Sequence, residues 1–134
     1  MIRPILIIED DPDIAEALRY SLEMQKFETR IAVTGREGLS ASLDKERPPL
    51  LILLDLLLPG MNGLEICRRL RKEPSTARIP IIMVTAKASQ TDFISAREAG
   101  VDDYITKPFS VRKVLDSITF LLSRDENGRS LKLL

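Results

Sequence analysis

Three short uninterrupted runs of apolar residues, at positions 5–8, 50–54 and 81–84, are typical of strands buried on both faces. Residues 27–33 instead alternate apolar and polar side chains, and this period of two suits an edge strand with one wetter face. A weaker apolar pattern predicts a fifth strand at residues 103–106. The hydrophobic pattern therefore predicts five short strands.

A helical pattern follows each predicted strand. The expected helix caps are Asp11 before Pro12, Thr34 with Glu37 as a capping box, Asn62 and Ser110, and the fourth helix is expected over Ser89 to Ala99. Apolar residues then recur at helical spacing, with Ile14, Ala17, Leu18 and Leu22 on the first helix and Ile66, Cys67 and Leu70 on the third. Gly100 is expected to end the fourth helix.

Five successive strand-then-helix units predict an α/β fold with right-handed crossovers. The chain has 134 residues, which suits one open doubly wound sheet and is too short for a closed eight-stranded barrel. We expect a five-stranded parallel sheet of order 2-1-3-4-5 with helices on both faces. The domain is expected over residues 1–123, with residues 124–134 forming a C-terminal tail or the start of a linker.

Composition removes several classes of function. The 20 basic and 20 acidic residues cancel, which argues against direct binding of nucleic acid or anionic lipid. Histidine is absent, so a Ser/His/Asp triad and a histidine-ligated metal are excluded. The single cysteine cannot form an internal disulfide. With neither a secretion signal nor a membrane-length apolar segment, we expect a cytoplasmic location and no membrane partner.

Polar residues follow the predicted strands where ligands bind in such sheets, beyond the carboxyl ends. Glu9 and Asp10 follow the first strand, Asp55 the third, Thr85 the fourth and Lys107 the fifth. If the first and third strands are neighbours, the acids converge on one pocket. Carboxylates held together repel each other unless a cation lies among them, and hard oxygen ligands suit Mg²⁺. The sequence therefore predicts a magnesium site.

An aspartate beside Mg²⁺ is a workable nucleophile for phosphoryl transfer, because it is ionised at neutral pH and needs no base. This chemistry is compatible with the absence of histidine. Lys107 would balance charge on the phosphoryl oxygens, while Thr85 would hydrogen-bond another oxygen. Neither a G-x-x-x-x-G-K-[ST] loop nor a G-x-G-x-x-G motif occurs, so the sequence gives no support for direct nucleotide binding.

Four motifs occur in a fixed order: Glu9-Asp10, the segment 55–63 (DLLLPGMNG), Thr85-Ala86, and the segment 102–109 (DDYITKPF). In this combination the chain, over about residues 3 to 123, resembles the receiver domains of two-component response regulators. The resemblance implies a flavodoxin-like sheet. It also implies Mg-dependent transfer of a phosphoryl group from a sensor histidine kinase or phosphotransfer protein to Asp55.

The resemblance also assigns roles to individual residues. It implies that Asp10 and Asp55 bind Mg²⁺ directly, Leu57 through its backbone carbonyl and Glu9 through water. Lys107 would hold the phosphoryl group, and its peptide bond to the following proline would be cis. Such a domain catalyses its own phosphorylation and dephosphorylation and is not a conventional enzyme.

A conformational switch is implied as well. Thr85 and Tyr104 would form it, and it would alter the face built from the fourth helix, the fifth strand and the fifth helix. The downstream output domain or protein is not identified by the sequence, and the resemblance allows a phosphorylation-dependent homodimer.

Other interpretations compete with this one. Asp11-Pro12-Asp13 resembles the opening motif of haloacid-dehalogenase-like phosphohydrolases, although Asp11 is expected to be only a helix cap. A degenerate receiver that binds partners without phosphorylation is a second alternative, against which the intact set of acids, threonine and lysine argues. The basic run at residues 68–72 is interpreted as a solvated helix face.

Overall fold

The computed structural model describes residues 2–124, and its elements follow the predicted alternation of strands and helices. The strands are β1 (Ile5–Ile8), β2 (Thr29–Ala32), β3 (Leu51–Leu54), β4 (Ile81–Thr85) and β5 (Asp103–Thr106). The helices are α1 (Pro12–Met24), α2 (Gly35–Ser42), α3 (Gly63–Lys72), α4 (Gln90–Ala99) and α5 (Val111–Leu122). Except for Arg124, the segment expected as a tail or linker lies outside the described residues.

The five strands form one parallel sheet of order β2-β1-β3-β4-β5, which confirms the predicted topology. In the register of β1 with its neighbours, Ile8 pairs with Ala32 on one side and with Leu54 on the other. Strands β1 and β3 therefore end level with each other. The residues that follow them, Glu9 and Asp55, emerge side by side at the carboxyl edge of the sheet.

The sheet is covered on both faces, so β1 is buried along its whole length. Ile5 and Ile7 pack in one core layer with α1 and α5, while Leu6 and Ile8 pack in the other with α2, α3 and α4. All four side chains have no exposed area. This double coverage is the physical reason why the strand has an uninterrupted apolar sequence.

The predicted capping residues begin the helices. Asp11 Oδ1 accepts a hydrogen bond from Asp13 N at 2.9 Å, and Asn62 Oδ1 accepts one from Glu65 N at 3.0 Å. At its other end, α4 stops at Gly100, whose φ of 105° favours glycine. These contacts fix where each helix enters or leaves the edge of the sheet.

Some sequence-based details were wrong. Ala17 is exposed and Ala15 is buried in its place, because the buried face of α1 follows residues 15, 18 and 22. Val33 lies just beyond β2 and is also exposed. Thr34 caps α2 by accepting from Glu37 N at 3.1 Å, but Glu37 Oε2 accepts from Val33 N, so the capping box is incomplete.

The basic run on α3 is only partly a solvated face. Arg69 is exposed and pairs with Glu65 at 3.1 Å, as expected. Arg71 instead donates to the carbonyl oxygen of Ile79 at 2.7 Å and pairs with Asp102 at 2.8 Å. Arg71 therefore links α3 to the segments that lead into β4 and β5.

Within residues 2–124, the helices lack the length and apolar character needed to cross a bilayer.

Candidate functional site

Asp55 is a buried carboxylate at the carboxyl end of β3, with 6% of the residue exposed. Its backbone N donates to Ile8 O at 3.0 Å, and this bond continues the pairing of β3 with β1 for one more residue. Its Oδ1 accepts from Leu57 N at 3.2 Å. Because a buried charge is costly unless it has partners, this position requires further compensation.

Lys107 provides that compensation from the end of β5. Its Nζ lies 3.0 Å from Asp55 Oδ2 and 2.7 Å from Glu9 Oε1. The backbone N of Lys107 donates to Thr85 O at 2.8 Å, which aligns the loop after β5 with the end of β4. The bond from Lys107 to Pro108 is cis, in agreement with the prediction.

Three acidic residues meet at this edge. One carboxylate oxygen from each of Glu9, Asp10 and Asp55 lies within 4.8 Å of the others. Glu9 and Asp55 are buried, whereas Asp10 is exposed. Three hard oxygen donors, one of which faces solvent, fit a divalent cation such as Mg²⁺, which usually keeps several of its waters.

The electrostatics of the site depend on burial. Burial raises the pKa of Glu9, and the charge of Asp55 adds to this effect, while hydrogen bonds from Lys107 and Asp11 N oppose it. Burial alone would lower the pKa of Lys107, but its bonds to Glu9 and Asp55 outweigh burial and raise it. Lys107 is therefore a cation at neutral pH. Crowded carboxylates with a single ammonium group favour a further positive charge.

Thr85 and Tyr104 are connected through the backbone of Lys87. Thr85 is fully buried, and its Oγ1 accepts from Lys87 N at 3.3 Å. The Tyr104 hydroxyl donates to Lys87 O at 2.5 Å. The ring of Tyr104 also contacts the Phe93 ring edge-on, with centroids 5.7 Å apart. The sequence pattern did not predict this role for Phe93, because an aromatic residue on α4 gives no such signal.

Gly63 is a second site residue that the sequence analysis missed. It begins α3, and a Cβ built on it would lie 2.4 Å from the backbone oxygen of Asp55. The sequence predicted Asn62 as a helix cap and gave Gly63 no role beyond membership of the motif at residues 55–63. The close approach of the α3 N-terminus to Asp55 requires glycine at this position.

An open, mainly apolar groove of about 540 Å³ adjoins the site. It runs between α1 and the loop after β5, and Lys107 lies on its border. Its lining consists of Asp13, Ile14, Ala17, Ala86, Lys107, Pro108, Phe109 and Val111. Phe109 is half-buried against the core layer of α1 and α5.

The structure uses Asp11 as a helix cap. Its carboxylate accepts from Asp13 N and Ile14 N at the start of α1. This geometry gives Asp11 a structural role and does not favour it as the nucleophile of a phosphohydrolase.

The chain is similar in sequence to known regulatory proteins. The phosphate regulon transcriptional regulatory protein PhoB of Rhizobium meliloti (strain 1021) is 39% identical over 124 residues, covering 92% of this chain and 54% of that protein. The DNA-binding dual master transcriptional regulator RpaA of Synechocystis sp. (strain ATCC 27184 / PCC 6803 / Kazusa) is 41% identical, with coverages of 91% and 50%. The chain thus spans about half the length of these relatives.

Structural similarity leads to the same class. The crystal structure of a CheY-like response regulator receiver domain protein from Methanospirillum hungatei JF-1 has a TM-score of 0.82 and 34% identity, covering 91% of this chain and 94% of that one. The family model for the response regulator receiver domain matches residues 5–119. The chain therefore belongs to the response regulator receiver domain family of two-component systems. Such domains generally bind Mg²⁺ at an acidic cluster and form a phosphoaspartate.

Proposed function

We propose that Asp55 is the phosphoacceptor of this receiver domain. The observation that carries the proposal is the position of Lys107 Nζ, 3.0 Å from Asp55 Oδ2 and 2.7 Å from Glu9 Oε1. A cation held against the buried carboxylate lies where a phosphoryl group on Asp55 would develop charge.

The transfer needs no histidine in this chain. A carboxylate oxygen of Asp55 forms a bond to phosphorus while the bond between phosphorus and the donor's histidine nitrogen breaks. The electron pair of the broken bond stays with the donor imidazole. Lys107 balances charge on the transferred group, and the Thr85 hydroxyl donates a hydrogen bond to one of its oxygens.

Mg²⁺ is the proposed cofactor, held by Asp10 and Asp55 directly and by Glu9 through water. The Leu57 carbonyl completes the proposed set of protein ligands. This assignment is supported by the approach of the three carboxylates within 4.8 Å and by their oxygen chemistry. When bound, the ion would supply positive charge against the phosphoryl oxygens.

The proposed phosphodonor is a sensor histidine kinase or a phosphotransfer protein. Because Asp55 is only 6% exposed, the donor must approach closely over the rim of the site. The groove bordered by Lys107 offers an apolar surface there for the donor to contact. A donor that docks in this groove places its phosphohistidine beside Lys107 and Asp55.

The output is proposed to pass through the face of α4, β5 and α5, which carries Tyr104. A phosphorylation-dependent homodimer through that face is compatible with the exposed side chains of Phe93 and Phe120. Both named relatives are transcriptional regulators. We propose that this domain itself does not contact nucleic acid, because its charge is balanced and Arg71 is engaged internally.

Incubation with acetyl phosphate and Mg²⁺ tests the proposal. Intact-mass measurement should show one added phosphoryl group, which disappears in Asp55→Asn and after chelation of Mg²⁺. Asp11→Asn is the matched control, because asparagine caps a helix as well as aspartate does, so labelling should persist. Labelling that requires Asp11 but not Asp55 would favour a phosphohydrolase. An unlabelled parent protein would favour a binding module without phosphorylation.

A further inference from the structure

The side chain of Tyr104 is held at two points. Its hydroxyl donates to Lys87 O at 2.5 Å, and its ring forms a T-shaped pair with the Phe93 ring at a centroid distance of 5.7 Å and an interplanar angle of 66°. Burial raises the pKa of Tyr104, with smaller contributions from the charges of Asp92 and Asp55, so the phenol is a neutral donor at physiological pH. These contacts define one orientation of the ring.

The first contact leads back to the candidate site. Lys87 N donates to Thr85 Oγ1 at 3.3 Å, and Thr85 lies at the end of β4. Movement of the Thr85 hydroxyl would therefore disturb the backbone that holds the Tyr104 hydroxyl. The hydrogen bond alone cannot keep the ring in place during such movement, because its acceptor moves too.

The second contact of Tyr104 is with Phe93, which lies outside the hydrophobic core. Phe93 is 47% exposed and belongs to neither core layer, whereas Tyr104 packs partly against the layer of α2, α3 and α4. Phe93 and Tyr104 also line a small cavity of about 120 Å³ together with Arg97 and Val101. The ring of Tyr104 thus has an adjacent cavity into which it could rotate, and Phe93 restricts that rotation.

We propose that Phe93 is a positioning residue that stabilises the orientation in which the Tyr104 hydroxyl bonds to Lys87 O. It thereby sets the fraction of molecules in that orientation before any phosphorylation. An edge-to-face aromatic pair is expected to change this population ratio by about 2- to 10-fold. The positioning role of Phe93 does not depend on the proposed function. Only the further step, in which Tyr104 responds to phosphorylation of Asp55, rests on it.

Tyrosine-selective isotope labelling of the whole chain tests the proposal. The chain has two tyrosines, and Tyr20 is 66% exposed and serves as an internal reference. Three-bond couplings from the tyrosine Cγ to its backbone N and carbonyl carbon report the χ1 populations without interference from the ring current of Phe93. Phe93→Leu removes the aromatic ring, Phe93→Tyr retains it, and Phe120→Leu is the control on α5.

We expect Phe93→Leu to lower the population ratio of Tyr104 by 2- to 10-fold, Phe93→Tyr to stay within twofold of the parent protein, and Phe120→Leu and Tyr20 to show no change. Parent-like couplings in Phe93→Leu, or an equal change in Phe120→Leu, would overturn the proposal. Acetyl phosphate labelling of the parent protein separates the two hypotheses. If Asp55 is not labelled but Phe93→Leu shifts Tyr104, the proposed function fails and the positioning role stands.

Discussion

Lys107 and Asp55 lie 52 positions apart in the chain, yet Lys107 Nζ is 3.0 Å from Asp55 Oδ2. The parallel sheet produces this contact, because β3, β4 and β5 are adjacent and all end at the same edge. The ion pair neutralises part of the charge of a buried carboxylate. It does not remove the repulsion among the carboxylates of Glu9, Asp10 and Asp55.

Replacement of Asp10 by alanine should weaken Mg²⁺ binding by tenfold or more, because one oxygen ligand is lost from the cluster. The fold should persist, and the metal-free variant should melt at the same or a higher temperature, since carboxylate crowding is relieved. Mg²⁺ titration by calorimetry and thermal melts measure both effects. Asp13→Ala, an exposed acid outside the cluster, is the control, and an equal loss of affinity there would contradict the assignment.

Much of this site could be predicted from the sequence, because Glu9 and Asp55 follow strands with uninterrupted apolar sequences and Lys107 follows a fifth strand with a weaker pattern. Glu9, Asp55 and Lys107 are identified by their position after a strand, and the topology then brings them together. Phe93 and Gly63 could not be predicted in this way. The role of each depends on a distance between separate elements, from α4 to β5 and from α3 to Asp55.

The contact at Gly63 gives the second prediction. In Gly63→Ala the new Cβ would lie 2.4 Å from Asp55 O, and one backbone segment would have to shift. We expect a loss of about 1 to 3 kcal/mol in the free energy of unfolding, as for overpacked cores, and slower labelling of Asp55 by acetyl phosphate. Urea unfolding and timed intact-mass measurements test the two effects.

Gly60→Ala is the useful comparison for this variant. Gly60 has a φ of 83°, but open space surrounds its would-be Cβ. Alanine at this position should therefore lower the free energy of unfolding through backbone strain, without moving the Asp55 carbonyl. If both variants slowed labelling equally, the specific link between Gly63 and Asp55 would be lost.

Cys67 should be unreactive in the folded protein. It has no exposed area, it donates to Ala99 O at 3.1 Å, and burial raises its thiol pKa from 9.0 to about 11. A disulfide reagent at pH 8 should modify it only after unfolding, because the thiolate is the reactive form. Rapid modification of the native chain would contradict this burial.

The same pKa shift has a consequence for stability. Between pH 9 and about 11 the folded state retains the Cys67 proton that the unfolded state has released. The free energy of unfolding should therefore fall as pH rises through this window, and Cys67→Ala should lack that part of the slope. Urea unfolding of both proteins at several pH values measures the difference.

Thr85 is connected to Tyr104 through the backbone of Lys87. In Thr85→Ala the hydroxyl that accepts from Lys87 N is absent, so the backbone segment that binds the Tyr104 hydroxyl should respond less to a group on Asp55. A phosphoryl group can bias a conformational equilibrium only by the difference in its contacts between the two states, typically about 1 to 3 kcal/mol. Loss of the Thr85 contact should remove a large part of that difference.

Backbone amide NMR with and without beryllofluoride, which mimics the phosphoryl group, measures this coupling. Because Lys107 and the acidic cluster are intact, Thr85→Ala should still bind the mimic and still accept phosphate at Asp55. Phosphorylation should be slower than in the parent protein. Shifts near Asp55 should therefore appear, whereas those around Tyr104 should be strongly reduced. Shifts of full parental size around Tyr104 would refute a route through Thr85, since the Lys87 backbone would then be responding to another contact.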